Sequence, residues 1–412
     1  MADRAVPPLP RVSRWRGPEG GCWPTREQEL LLKAALMPGP EALDAWEKWQ
    51  RVADIERTDE GSVGVLPLLY ENLNRHGAAT PLLPRLRGVY RHTWYRNQLH
   101  DHRVKGVLRS MGDAGIRTLL LKGMALSHVH YGNLGTRTMR DGDLLVPFPD
   151  ARSACDVLRK TGWTPLFEAL ERERACRASA PFVDSSGQEL DLHWHVLHED
   201  LRADADADFW AGAVPFRLGD VDTLVLNPAD QLLHVLVHGI AWSKVPSIRW
   251  AADTVMIVRS ADGRINWRRL VDSAVTRRLS CAVRDGLDYV HRTFGSEIPG
   301  WVLAELRSRI PSVGERLENR FRVHMGPSAL WGETPSLAFK YVRASRGQGR
   351  RPTVRGFVDF LGAYWRVDAS RLPAEIVRKL VRRTLWMLTS TGDRMVRGFA
   401  RRRPGPPVSS RS

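Results

Sequence analysis

The sequence predicts an α+β fold: a small mixed β-sheet flanked by helical regions on its N-terminal and C-terminal sides. Two observations carry this. Apolar residues recur at helical spacing from Thr25 to Met111 and again beyond Asn227. Between them lie short apolar or alternating runs that read as strands, around Ile116–Leu121, Asp141–Val146, Glu189–Trp194 and Val221–Leu226. The chain has 412 residues, 43% hydrophobic and 26% charged, which is an ordinary globular composition with room for two or three domains.

The expected organisation runs as follows. Residues 1–24, proline-rich from Pro7 to Pro24, read as a disordered tail. Residues 25–110 form a helical region: one helix to Leu36 before Pro38-Gly39-Pro40, a second over Ala45–Ile55 with Trp46, Trp49 and Val52 inward, a third over Val65–Leu73, and a long amphipathic helix from Leu83 to Met111. No functional site is evident there. Residues 111–226 form the mixed α/β core. In it Asp150 caps a helix through Lys160 that Gly162 ends, Trp163–Leu166 returns as an edge strand, and Val183 makes a hairpin with the strand at Glu189. Residues 227–300 are helical and packed on the core, opening at Asn227-Pro228, an N-cap followed by proline at the first helical position. Residues 301–400 read as a basic helical region, with a helix from Ala374 to Leu388, and residues 401–412 as a disordered tail.

The chemistry concentrates in the core. Asp141 and Asp143 stand one residue apart at the head of the apolar run Leu144-Leu145-Val146. Side chains alternate along a strand, so both carboxylates point the same way. Two ionised carboxylates side by side repel each other, and a divalent cation removes that repulsion. Hard cations such as Mg²⁺ take one or two carboxylates together with substrate phosphates. Downstream, Glu189, Asp191 and His193 share one face of an alternating strand, so Asp191 becomes a third carboxylate if that strand pairs beside the first. Upstream, a short β-favouring run stops at Lys122-Gly123 before a helical segment, a place where a lysine and backbone N–H groups meet phosphate oxygens. Three convergent carboxylates opposite such a turn match a two-metal phosphoryl-transfer site.

Taken together, Leu121-Lys122-Gly123, Arg137, Asp141-Gly142-Asp143-Leu144-Leu145-Val146 and Asp191-Leu192-His193-Trp194 resemble the uncharacterised bacterial nucleotidyltransferases of the DNA-polymerase-β-like superfamily. The resemblance extends to Asn227–His234 and to Arg249-Trp250-Ala251-Ala252-Asp253. It implies transfer of a nucleotidyl group from an NTP to an acceptor of unknown identity. Asp141, Asp143 and Asp191 are then the catalytic metal ligands, for Mg²⁺ or alternatively Mn²⁺. Lys122 and Gly123 contact the β- and γ-phosphates, and Arg137 or Arg140 offsets charge on the leaving pyrophosphate. Two residues depart from the family pattern: Gly142 where an aliphatic residue is usual, and Arg140 where a small one is usual. They open the alternative of a catalytically degenerate nucleotide-binding or protein-interaction relative, in which Arg140 pairs with the carboxylates in place of the metal.

Other features are weaker. His234 and His238 are spaced i, i+4, but the glutamate that a zinc hydrolase helix carries beside its first histidine is missing, so they read as packing histidines or as histidines that support a neighbouring ligand residue. His193, His195 and His198 form a rival metal motif of lower standing, with His195 expected on the same face as Asp191. Cys22, Cys155, Cys176 and Cys281 lack metal spacing and read as free thiols. With no long apolar run and no apolar signal core, a cytoplasmic location is expected. The net charge of +16 is uneven, since residues 341–412 hold 17 Arg or Lys against 4 Asp or Glu. Such a segment can contact nucleic acid or an anionic membrane, though a solvated arginine-rich end is the preferred reading.

Overall fold

A computed structural model describes residues 21–167, 174–324, 334–367, 370–374 and 378. Its heart is a seven-stranded mixed sheet in the order β3-β4-β5-β2-β1-β7-β6. The strands are β1 (Leu119–Leu120), β2 (Asp141–Leu145), β3 (Thr164–Pro165), β4 (Ser179–Val183), β5 (Glu189–His193), β6 (Val214–Leu218) and β7 (Val221–Val225). β2 lies antiparallel to β1 and parallel to β5, and β1 runs parallel to β7.

The N-terminal helices are α1 (Arg26–Leu36), α2 (Gly39–Gln50), α3 (Glu60–Val63), α4 (Leu66–Arg75) and α5 (Leu83–Asp113). Thr25 and Gln28 close a reciprocal capping box at the start of α1, which satisfies two otherwise unpaired backbone N–H groups. α2 ends at Gln50, so Val52, expected to point inward, is exposed. The long amphipathic stretch is one helix of 31 residues, about 46 Å at 1.5 Å per residue. It buries Val104, Val107, Leu108 and Met111 on one stripe. Ordered structure also reaches into the stretch expected as a tail: Cys22 is buried, and Gly21 pairs with Ser243.

Within the core follow α6 (Lys122–Leu126), a π-helical turn at Ser127–Tyr131, and α7 (Ala151–Lys160). Asp150 precedes α7 but makes no capping hydrogen bond, because a 3₁₀ turn over Phe148–Asp150 already holds it in a helical conformation. Trp163–Leu166 contributes the edge strand β3, and β4 and β5 form the expected hairpin. β6 goes unforeseen, since Pro215 interrupts its pattern and the strand sits at the sheet edge, where proline is tolerated. After α8 (Ala207–Ala211) and the strands β6 and β7, the described residues are helical: α9 (Pro228–Gly239), α10 (Arg249–Ser260), α11 (Trp267–Thr276), α12 (Ser280–Phe294), α13 (Gly300–Ser308), α14 (Val313–His324), α15 (Thr334–Gly347) and α16 (Val354–Trp365). The Asn227 side chain accepts from the backbone N–H groups of Ala229 and Asp230, as its position before Pro228 predicts. The helix expected over Ala374–Leu388 and the tails at 1–20 and 401–412 lie outside the described residues.

The two faces of the sheet have different partners. Leu120, Leu144, Leu190 and Leu192 pack with Val104, Met111 and Leu158 of α5 and α7. Leu119, Leu121 and Leu145 face the other way, into a core shared with α1, α4, α9, α10 and α12. By alternation, the residues at 141, 143, 191 and 193 belong to this second face. Gly142 therefore faces α5, and a Cβ placed there would stand 2.9 Å from Cγ2 of Val104 and 3.1 Å from Cδ1 of Leu190. The glycine lets the long helix approach β2 closely. Among the described residues no helix is long and apolar enough to cross a membrane, and the four cysteines are buried and in no disulfide.

Candidate active site

The site forms where the second face of β2 meets α9 and α10. The parallel register sets Asp143 beside Asp191 and Asp141 beside Glu189. Asp143 is 2% exposed, and its buried carboxylate has two partners. Lys122 Nζ donates to Oδ1 at 2.6 Å, and His193 Nε2 lies 3.0 Å from the same oxygen. Burial opposes ionisation of Asp143, but Lys122 and His193 outweigh it and hold its carboxyl far below the usual range. Burial likewise opposes the charge on Lys122, and the carboxylates of Asp143, Asp191 and Asp141 overcome it. Asp141 has no such cation in contact. Burial first, and the charge of Asp143 second, push its pKa up to about 6.

Lys122 reaches Asp143 because of its backbone. Its φ is 42°, in the left-handed region that side chains rarely adopt, and Leu121 N–H donates to Asp143 O at 3.0 Å just before it. Such a conformation costs about 1–3 kcal/mol and persists where the surroundings impose it. Gly123 follows, with Arg137 above it: a Cβ at Gly123 would stand 2.7 Å from Nη1 of Arg137.

Arg137 is buried and held from the far side. Its Nε and Nη2 donate to the two oxygens of Asp253 at 2.7 and 2.8 Å, and the Tyr131 hydroxyl donates to Asp253 at 2.7 Å. Asp253 lies on α10, four residues after Arg249, so both face the same cavity. Arg249 Nη1 donates to the Thr138 carbonyl at 3.0 Å. Burial, and then the like charge of Arg137, lower its pKa, with Arg140 adding to the effect. The stem of Arg249 rests against Gly64, where a Cβ would meet its Cδ at 2.7 Å. The N-terminal helical region, expected to have no site, thus shapes this one.

These groups line a cavity of about 320 Å³. Lys122, Arg137, Arg140 and Arg249 supply positive charge, Asp141, Asp143 and Asp253 negative, and Trp242 and Trp250 an aromatic margin. His234 and His238 of α9 also line it. Burial depresses both imidazoles, His238 to about 4, so they stand neutral at pH 7. Ligand atoms of Asp143, Asp191 and His193 all lie within 4.8 Å of one another, a donor set that fits a divalent ion.

A protein family described as uncharacterised nucleotidyltransferase matches residues 47–295. The chain belongs to this family. No curated protein matches it.

The nucleotidyltransferase site assembles differently from the sequence expectation in three respects. Asp141, Asp143 and Asp191 do share a face, but the tightest group exchanges Asp141 for His193. The cation seated on Asp143 is Lys122; Arg140 is exposed and makes no ion pair among the described residues. His195 leaves the face of Asp191 altogether, because β5 ends at His193 and the chain turns, so that His195 Nδ1 bonds Asp206 at 2.6 Å. Arg249 and Asp253 are site residues to which the sequence assigned no role, whereas His193 was expected on the Asp191 face within a rival metal motif and His234 and His238 were expected mainly as packing residues. The i, i+4 spacing of Arg249 and Asp253 was the available signal.

Proposed function

We propose that this nucleotidyltransferase transfers a nucleotidyl group from an NTP to an acceptor hydroxyl. The observation that carries the reading is the pairing of Asp143 with Asp191 across β2 and β5, opposite a cavity rich in cations. The acceptor hydroxyl gives up its proton to solvent, its oxygen forms a bond to the α-phosphorus, and the bond to the pyrophosphate oxygen breaks. A divalent ion, Mg²⁺ or Mn²⁺, supplies charge neutralisation at the phosphates and a lowered acceptor pKa when bound. Asp141, Asp143 and Asp191 are the residues to hold it.

The chain's own groups do the positioning. Burial and the like charges of Arg137 and Arg140 lower the pKa of Arg249, and an anionic triphosphate in the cavity relieves that repulsion. Arg137, fixed by Asp253, is a rigid donor for the leaving pyrophosphate. Lys122, on a flexible stem beside the cavity, pairs with Asp143, and it would turn to the β- and γ-phosphates if Asp143 held a metal. Trp242 and Trp250 give the base an aromatic wall. NTP and acceptor are the ligands in this reading; the basic segment beyond residue 340 has no part in it.

A second reading has one observation in its favour. Lys122 already neutralises Asp143, as it would in a binding protein that has given up turnover. Transfer of label from α-³²P-NTPs into a metabolite extract separates the two. The enzyme reading requires divalent-dependent labelling that Asp143→Asn abolishes. Metal-dependent NTP binding with no transfer to any fraction would leave the binding protein.

A further inference from the structure

His193 is fully buried at the end of β5, a costly place for an imidazole unless both nitrogens are engaged. Nδ1 lies 3.3 Å from the backbone carbonyl of His195. A carbonyl only accepts, so Nδ1 carries the proton and donates. Nε2 is thereby aimed into the site, 3.0 Å from Oδ1 of Asp143 and 3.4 Å from Nζ of Lys122. The ammonium of Lys122, 2.6 Å from the same Oδ1, marks a point on which the carboxylate and the imidazole converge around positive charge. An imidazole whose second nitrogen is held by a backbone carbonyl is the arrangement that fixes a metal-binding histidine in tautomer and direction.

Resting on the nucleotidyltransferase reading of this site, we propose that His193 is a direct metal ligand together with Asp143 and Asp191, and that this position takes a first-row transition ion in preference to Mg²⁺. Imidazole nitrogen suits transition ions, whereas Mg²⁺ keeps to oxygen ligands. Asp141 stands outside the 4.8 Å group and faces the cavity with Arg140. It belongs to a second, oxygen-only position that is completed by the triphosphate. The two positions are therefore unlike: one with nitrogen on the Asp191 side, one with oxygen only on the nucleotide side. Lys122 competes for the first, and an ion entering there displaces its ammonium into the cavity.

The probe is Mn²⁺ alone, added to the full chain and followed by continuous-wave and pulsed electron paramagnetic resonance. The expected result is bound Mn²⁺ with modulation from a directly coordinated imidazole ¹⁴N. His193→Gln should abolish that modulation and weaken Mn²⁺ binding about tenfold or more. Lys122→Met should keep the nitrogen signal and tighten Mn²⁺ binding, and this second variant serves if the buried glutamine prevents folding. Mg²⁺ should displace Mn²⁺ only at large excess. A nitrogen signal that survives His193→Gln belongs to another imidazole, such as His198 or His234, and overturns the assignment. Mn²⁺ bound without nitrogen coupling in both the native chain and Lys122→Met overturns it too, while leaving the nucleotidyltransferase reading in place. Absence of Mn²⁺ binding, with or without NTP, would overturn both.

Discussion

The ammonium of Lys122 stands 2.6 Å from Oδ1 of Asp143, and with that contact the site neutralises itself. Asp143 is all but inaccessible to water, so its charge needs a cation from somewhere. Removing one partner of a buried pair costs about 3–5 kcal/mol, more than the pair itself contributes. Lys122→Met should therefore lower the melting temperature in chelator. Millimolar Mn²⁺ should restore much of the loss. The double variant Lys122→Met/Asp143→Asn should be more stable than Lys122→Met alone, since the orphaned charge is gone. If the native chain and both variants melt alike in chelator, the ion pair has no energetic role.

Asp253 has the same relationship to Arg137, with two parallel hydrogen bonds in place of one. A planar fork is matched to a carboxylate in a way that a lysine ammonium is not. Asp253→Asn should destabilise by about 3–5 kcal/mol in chemical denaturation. Arg137→Lys should lose part of that and weaken NTP binding as well, because the donor facing Gly123 disappears. NTP affinity unchanged in a folded Arg137→Lys protein would remove Arg137 from the phosphate site.

Asp141 gives the site a pH signature. Its folded pKa, about 6, lies above the ordinary carboxylate value of 3.8. A raised acid pKa means that the folded state prefers the protonated form. Its stabilising contribution is present below pH 3.8 and is lost as pH rises through 6. In chelator, Asp141→Asn should then be more stable than the native chain at pH 7.5, and the advantage should shrink to nothing towards pH 4. Comparing the two proteins cancels the depressed carboxylates Asp143 and Asp253, whose effect runs the opposite way. A constant difference across that range would contradict the electrostatic assignment.

Gly142 has a packing reason, since it faces α5. An added Cβ meets side-chain atoms of Val104 and Leu190 within 3.1 Å, on the face away from the site, and Val104 is β-branched and stiff at χ1. Gly142→Ala should cost about 1–3 kcal/mol, as overpacking does. Val104→Ala should recover part of it, and Mn²⁺ affinity should stay unchanged. A loss of metal binding at full stability would place Gly142 in the site instead.

Much of this was legible in the chain because strand alternation fixes direction. Asp141 and Asp143 one residue apart, and Asp191 with His193 in a second alternating run, could be put on one face without knowing the fold. The long helix through Met111 and the cap at Asn227 were legible for the same kind of local reason. What was not legible depends on distance. Arg137 and Asp253 are 116 positions apart, and nothing local pairs them. The partner of Asp143 is Lys122 and not the nearby Arg140, because Lys122 itself adopts a left-handed conformation between β1 and α6, one that sequence does not announce for Lys. His195 illustrates the limit of alternation itself, which holds only until the strand ends.

The central claim is that Asp143 holds the metal through which an NTP is bound. Calorimetric titration of ATP into the native chain and into Asp143→Asn, each with and without divalent ion, tests it most directly. The expected result is binding by the native chain that depends on the ion, and loss of that dependence in a folded Asp143→Asn protein. Equal ATP affinity in the two proteins, with the ion present, would contradict it.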